Sequence, residues 1–188
     1  MKSIYFLILI FFINACTTYT LVEKDKEVNV NSLYSIKTDM LMSKINIRGS
    51  KLTWLTNNGL GLDLFFFSQD IFQGGVLSTA SKNDLKEYKK DMNNLEFVNY
   101  ISTGLSDFGF INSKLVDVDK INTNVGEFQR FFLTLEDKTE GLRYKSVIDR
   151  HENKEILRVN GFIAPEKFYY DEYIDNYFSI MKNLIKKE

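Results

Sequence analysis

Lys51 to Ser68 reads KLTWLTNNGLGLDLFFFS, and this stretch decides what kind of fold the chain can adopt. Two runs rich in apolar and β-favouring residues, Lys51–Thr56 and Leu60–Ser68, flank Asn57-Asn58-Gly59. Asn and Gly accept the positive φ that a tight reversal needs, so the pattern predicts a β-hairpin. Phe65, Phe66 and Phe67 stand consecutively in its second strand. Neighbouring side chains on a strand point to opposite faces, so three adjacent phenylalanines are all buried only where both faces of the sheet are covered. Helices on each side would do that.

On the N-terminal side of the hairpin, Leu33–Ile36 and Met40–Ile47 carry apolar residues with a partial period of two, as strands do. On its other side, Gln73-Gly74-Gly75 and the polar stretch through Asn83 read as a loop. Lys82–Asp91 (KNDLKEYKKD) mixes lysines with acids like a solvated helical face. Between Asn93 and Gly109 the period changes. Leu95, Val98, Ile101, Leu105 and Phe108 recur at three and four, and Gly109 stands where a helix would end. Strand patterns return at Lys114–Asp119, Gly126–Glu136, Leu142–Asp149 and Glu155–Ile163, the last preceded by a polar turn, His151–Lys154. Pro165 suits the first turn of a closing helix. Its apolar face, from Tyr170, Tyr173, Ile174 and Tyr177 through Phe178 and Met181 to Leu184 and Ile185, continues to the chain end. Consecutive strands with short turns, a helix, more strands and a second helix predict an α+β fold. It is a mainly antiparallel β-sheet flanked by helices, in one domain over residues 27–188.

Composition excludes much chemistry. The chain has 188 residues, 44% hydrophobic and 26% charged, with a formal net charge of −1. So even a balance gives no electrostatic reason to expect nucleic acid as a partner. One cysteine rules out an intrachain disulfide, and one histidine leaves too few soft ligands for a zinc site within the chain. His151 lies in the charged run DRHENK and reads as a solvated surface residue. No Gly-x-Ser-x-Gly elbow, Walker loop, EF-hand loop or Gly-x-Gly-x-x-Gly fingerprint is present. Asp117 and Asp119 share one face of a strand and offer a carboxylate pair, but alternation on a half-exposed strand explains them as well. The reading therefore assigns no catalytic residue, no cofactor and no metal ligand. Trp54 reads as a core or sheet residue.

The first residues carry the most specific motif. Lys2 is followed by Ile4–Ile13, an uninterrupted apolar run, about half of the ~20 residues a spanning helix needs and the length of a signal-peptide core. Then comes Ile13-Asn14-Ala15-Cys16, with the chain's only cysteine directly after a small residue. This resembles the bacterial lipobox. The resemblance implies a signal peptide over residues 1–15, cleavage between Ala15 and Cys16, and acyl chains (palmitate among them) on Cys16, which with its neighbours to residue 26 forms a short tether. It makes the membrane a partner through the Cys16 lipid. Thr17, where an Asp commonly marks inner-membrane retention, implies the periplasmic face of the outer membrane if the cell has two membranes. The element order from Tyr19 to Ile185 resembles the Mog1/PsbP-like fold of small envelope lipoproteins.

Together these features lead to the expectation of a lipid-anchored cell-envelope protein that is not an enzyme, an accessory or interaction module with an envelope protein as partner. Two alternatives remain. The aromatic surplus, including Phe131-Phe132 and Tyr169, Tyr170, Tyr173 and Tyr177, would suit a carrier or sensor of a small apolar ligand or lipid, with the tyrosines at the rim of a groove. Less favoured is an envelope hydrolase using carboxylates.

Overall fold

Asn57–Gly59 does reverse the chain, and the hairpin around it lies in the middle of a large sheet. The computed structural model describes residues 19–47, 49–78 and 86–188. In chain order the elements are β1 (Tyr19–Val22), β2 (Glu27–Asn29), β3 (Tyr34–Lys37), β4 (Met42–Ile45), β5 (Leu52–Thr56), β6 (Leu64–Ser68), β7 (Ile71–Phe72), α1 (Asn94–Ser106), β8 (Phe110–Thr123), β9 (Gly126–Asp137), β10 (Arg143–Asn153), β11 (Ile156–Pro165), α2 (Tyr169–Lys182) and β12 (Ile185–Lys186). The main sheet runs β1-β4-β5-β6-β11-β10-β9-β8, with β7 also on β11, and a small sheet runs β12-β3-β2. Every pairing is antiparallel. The described residues thus form mostly antiparallel sheet with two helices, in keeping with the α+β expectation.

Local chemistry explains the hairpin. Buried Asp63 accepts from the Thr56 hydroxyl at 2.8 Å and from the N–H groups of Asn57 and Asn58 at 2.9 and 2.8 Å. One carboxylate therefore organises the connection, and Trp54 pairs with Phe66 across the two strands. The phenylalanine triplet divides as its period requires. Phe66 joins a core with Trp54 and with Phe97, Ile101 and Leu105 of α1. Phe65 and Phe67 join a second core with Tyr177, Ile180 and Met181 of α2 and with Tyr34 and Ile36 of the small sheet. Gly161 makes room for this. It faces Phe66 in the register, and a Cβ there would lie 2.2 Å from the ring.

Helix α1 starts at a reciprocal cap: the Asn93 side chain accepts from the Leu95 and Glu96 N–H groups, and Glu96 accepts from the Asn93 N–H. Beyond it, Gly109 takes φ +91°.

Several expectations need correcting. Pro165 ends β11 opposite Tyr144 instead of opening a helix. β6 has already stopped, its last pair being Leu64 with Ile163, so a residue without an N–H is tolerated at that strand end. Helix α2 is entered four residues later through a γ-turn at Phe168 (φ +71°, ψ −63°), in which the Tyr169 N–H donates to the Lys167 carbonyl. The helical face does not run to the chain end either, because Ile185–Lys186 pairs with β3. Lys86–Asp91 is loop, not helix, and residues 82–85 lie outside the described residues. Tyr88 is buried there, its backbone exchanging hydrogen bonds with Gly74 and Gly75. His151 is not a solvated turn residue. It sits within β10, 9% exposed, its ring tilted against that of Phe128, and its Nδ1 donates to the Glu127 carbonyl at 3.0 Å. The turn falls instead at Lys154, which takes φ +59°. Within the segment read as a tether, Tyr19–Val22 forms β1 on β4, with Val22 buried. Cys16, Ala15 and the whole signal segment lie outside the described residues.

Candidate functional site

Tyr170, Ile174 and Phe178 recur every fourth residue on α2 and so form one stripe along the helix. Below them, Phe132 and Thr134 of β9 alternate onto the face that the second core occupies, beside Lys145 of β10. Edge strand β8 closes the far side. It pairs irregularly with β9: Leu115 faces Leu133 and Asp117 faces Phe132, which leaves Val116 as the extra residue of a bulge. Val116 is 65% exposed. These residues enclose a largely apolar groove of about 450 Å³, open toward solvent, within the size range of small-molecule sites. Burial raises the Tyr170 hydroxyl to about 12, so it stays neutral at the groove wall.

A buried polar group sets the position of α2. Arg130 and Asp149 are direct cross-strand partners on β9 and β10. The guanidinium binds both carboxylate oxygens at 2.7 Å, and the Tyr177 hydroxyl donates to Asp149 Oδ2 at 2.8 Å. The same guanidinium lies 4.4 Å from the centre of the Phe178 ring, which also lines the groove. Burial pushes the Asp149 carboxyl up, opposed by the Arg130 guanidinium and the Tyr177 hydroxyl. Burial also holds the Tyr177 hydroxyl well above its ordinary value, so it remains a donor. The arrangement ties helix to sheet by charge and directional bonds, leaving the neighbouring apolar side chains only partly covered.

A second cavity, about 470 Å³ and polar, lies near Arg150 and Glu152. Its buried charges are already matched: Arg150 donates to the Met92 carbonyl at 2.8 Å and pairs with Glu152, which accepts the Asp91 N–H at 2.9 Å. It is less suited to a ligand than the groove.

The residues singled out in the sequence fall in different places. Of the four C-terminal tyrosines, only Tyr170 lines the groove; Tyr177 lies beneath the helix, and Tyr169 and Tyr173 pack against the second core. Phe131 belongs to the α1 core and Phe132 to the groove. Trp54 is a core residue whose Nε1 donates to Ser50 Oγ at 3.1 Å. Asp117 and Asp119 do share a face, opposite Phe132 and Arg130, but both are exposed and each binds the N–H of its own successor. Among the described residues no three His, Cys, Asp or Glu side chains are grouped to hold a metal ion. No described helix is long and apolar enough to cross a membrane.

The chain matches no known protein-family model, and no curated protein shows significant sequence similarity to it. The stripe at 170, 174 and 178 is visible in the sequence as a spacing. Lys145, Val116 and the Arg130–Asp149 pair carry no comparable signal, because their roles depend on strand register.

Proposed function

We propose that this chain is a lipid-anchored cell-envelope protein whose folded body is a non-catalytic binding module, and that the groove between α2 and β8 is its binding surface. The observation that carries this is the groove itself: partly exposed Phe132, Ile174 and Phe178 beside protruding Val116, on a scaffold that already buries two full cores. Apolar surface left open beside a rigid support is a general mark of a binding site. Anchoring rests on the Ile13–Cys16 motif. β1 begins at Tyr19, three residues after Cys16, so an acylated Cys16 would hold the domain close to the bilayer. One acyl chain anchors only reversibly, whereas two or more anchor stably. The antiparallel sheet with a helix on each face supports the resemblance to Mog1/PsbP-like envelope lipoproteins, and Thr17 favours the outer membrane where there are two. An envelope protein remains the first-ranked kind of partner. The groove's volume favours, as a second reading, a carrier of a small apolar ligand. A carboxylate hydrolase has less support, since of Asp117 and Asp119 only the former reaches the groove.

A photo-crosslinking side chain at Val116 in the anchored protein tests the binding surface, with Leu95 on α1 as an exposed apolar control. Adducts formed at Val116 and not at Leu95 are expected; indistinguishable patterns would overturn the assignment. In parallel, Cys16→Ala should release the protein from the membrane fraction and abolish lipid labelling. Unchanged partitioning would refute the anchor.

A further inference from the structure

At its Thr134 end the apolar groove adjoins a smaller polar cavity of about 210 Å³, which shares Thr134 with it and is lined by Asn112, Lys114, Glu136, Arg143 and Glu166. Both lie along the same three strands, β8 to β10. From Tyr170 to Phe178 on α2 the apolar stripe runs eight residues, or about 12 Å at ~1.5 Å each, the length of a medium acyl chain. The first bulge of β8, between Ile111 and Lys114, shapes the polar end, with Asn112 at φ +54° donating to Glu136 at 2.6 Å.

The cations at this end are poorly matched. The side chains of Lys114 and Arg143 make no hydrogen bond or ion pair with any described residue. Lys145, where groove and cavity meet, approaches Glu166 only at 3.8 Å and otherwise rests 5.6 Å from the centre of the Tyr170 ring. Glu136 is engaged by Asn112 rather than by a cation. Lys114 and Arg143 therefore line the polar cavity together with the carboxylates of Glu136 and Glu166, while Lys145 and Asp117 line the adjoining groove. Cations and carboxylates in equal number beside an apolar trough complement a head that carries both a phosphate and a positive group, on an apolar tail.

We propose that groove and cavity together form one site for a single-chain amphiphile with a phosphate in its head, the tail along Phe132, Ile174 and Phe178 and the phosphate between Lys114, Arg143 and Lys145. This rests on the groove being the binding surface. The ligand comes from outside the chain. Tyr19 enters the main sheet on β1, the opposite edge, seven strand spacings or about 34 Å from β8.

Among the described residues both cores are built between Val22 and Leu184, so a chain starting at Thr17 retains all of those core residues and serves for the test. It is titrated calorimetrically with dodecylphosphocholine and with dodecyl maltoside, each below its micelle concentration. Saturable one-to-one binding is expected, tighter for the phosphate amphiphile by about tenfold, the worth of one charge-assisted bond. Lys114→Glu/Arg143→Glu, both exposed positions, should erase that preference, so that the two amphiphiles no longer differ in affinity. Val116→Glu should weaken both. If neither amphiphile binds saturably, or Val116→Glu leaves binding unaltered, this proposal fails, and the groove as a protein-binding surface is judged separately by the crosslinks at Val116. If the two bind equally and the double variant changes nothing, the phosphate assignment fails and the apolar groove stands.

Discussion

Arg130→Met is the most direct probe of how α2 is held over the sheet. The substitution keeps an apolar stem but removes both 2.7 Å bonds to Asp149 and the guanidinium beside Phe178. Asp149 is fully buried, so its carboxylate is left without a counter-ion, with only the Tyr177 hydroxyl as a partner. Breaking a buried pair in this way costs about 3–5 kcal/mol, mainly for the stranded charge. For a chain of this size each kcal/mol moves Tm by ~2–4 °C, which places the expected loss at roughly 6–20 °C. The decisive comparison is with Arg130→Met/Asp149→Leu/Tyr177→Phe, which strands no charge and no hydroxyl. Apolar replacement of a buried ion pair is often neutral or stabilising by ~1–4 kcal/mol, so most of the lost stability should return. Urea unfolding can be followed through Trp54, the only tryptophan and a buried one. The reasoning is refuted if Arg130→Met costs less than ~1 kcal/mol, the level of an exposed ion pair, or if the triple variant is no more stable than the single one.

Gly161→Ala forces a Cβ to 2.2 Å from the Phe66 ring; overpacking of this kind costs ~1–3 kcal/mol or more, and thermal melting of Gly161→Ala/Phe66→Leu should show partial rescue. Glu152 supplies the pH test. Burial works to raise its carboxyl, but the Asp91 N–H and the Arg150 guanidinium outweigh that and hold it below the ordinary value. A carboxyl depressed in the folded state adds stability above its unfolded value, near ~4.3, and loses it as pH falls through the folded value. Urea midpoints measured downward from pH 5 should therefore fall less steeply for Glu152→Gln than for the parent, and parallel curves would remove Glu152 from the account.

The legible parts of this fold are those in which the deciding interactions are local. Asn57–Gly59 marks its reversal by turn chemistry, Asn93–Gly109 marks a helix by period, and Phe65–Phe67 demands cover on both faces by strand geometry alone. Short elements left no such mark. Tyr19–Val22 and Ile185–Lys186 become strands only because β4 and β3 are present to pair with them, and β propensity is mostly a property of such neighbours. His151 reads as a surface residue and Lys82–Asp91 as a solvated face because both runs are charged, yet Phe128 packs on the His151 ring and Tyr100 on that of Tyr88. Pro165 misled because a strand end tolerates proline as a helix start does.

The groove shows where the division falls. Periods of 3.6 and 2 within single elements are enough to give α2 an apolar stripe and to demand covering layers on both faces of an antiparallel sheet. Which side chains face one another across the groove was decided only by the tertiary structure. One extra residue in β8 shifts its register against β9 and leaves Val116 at the groove rim. The Arg130–Asp149–Tyr177 group, joining residues far apart in the chain, fixes how the helix lies above. A bulge and a buried ion pair take their meaning from the partner strand, and no single stretch of the chain contains it.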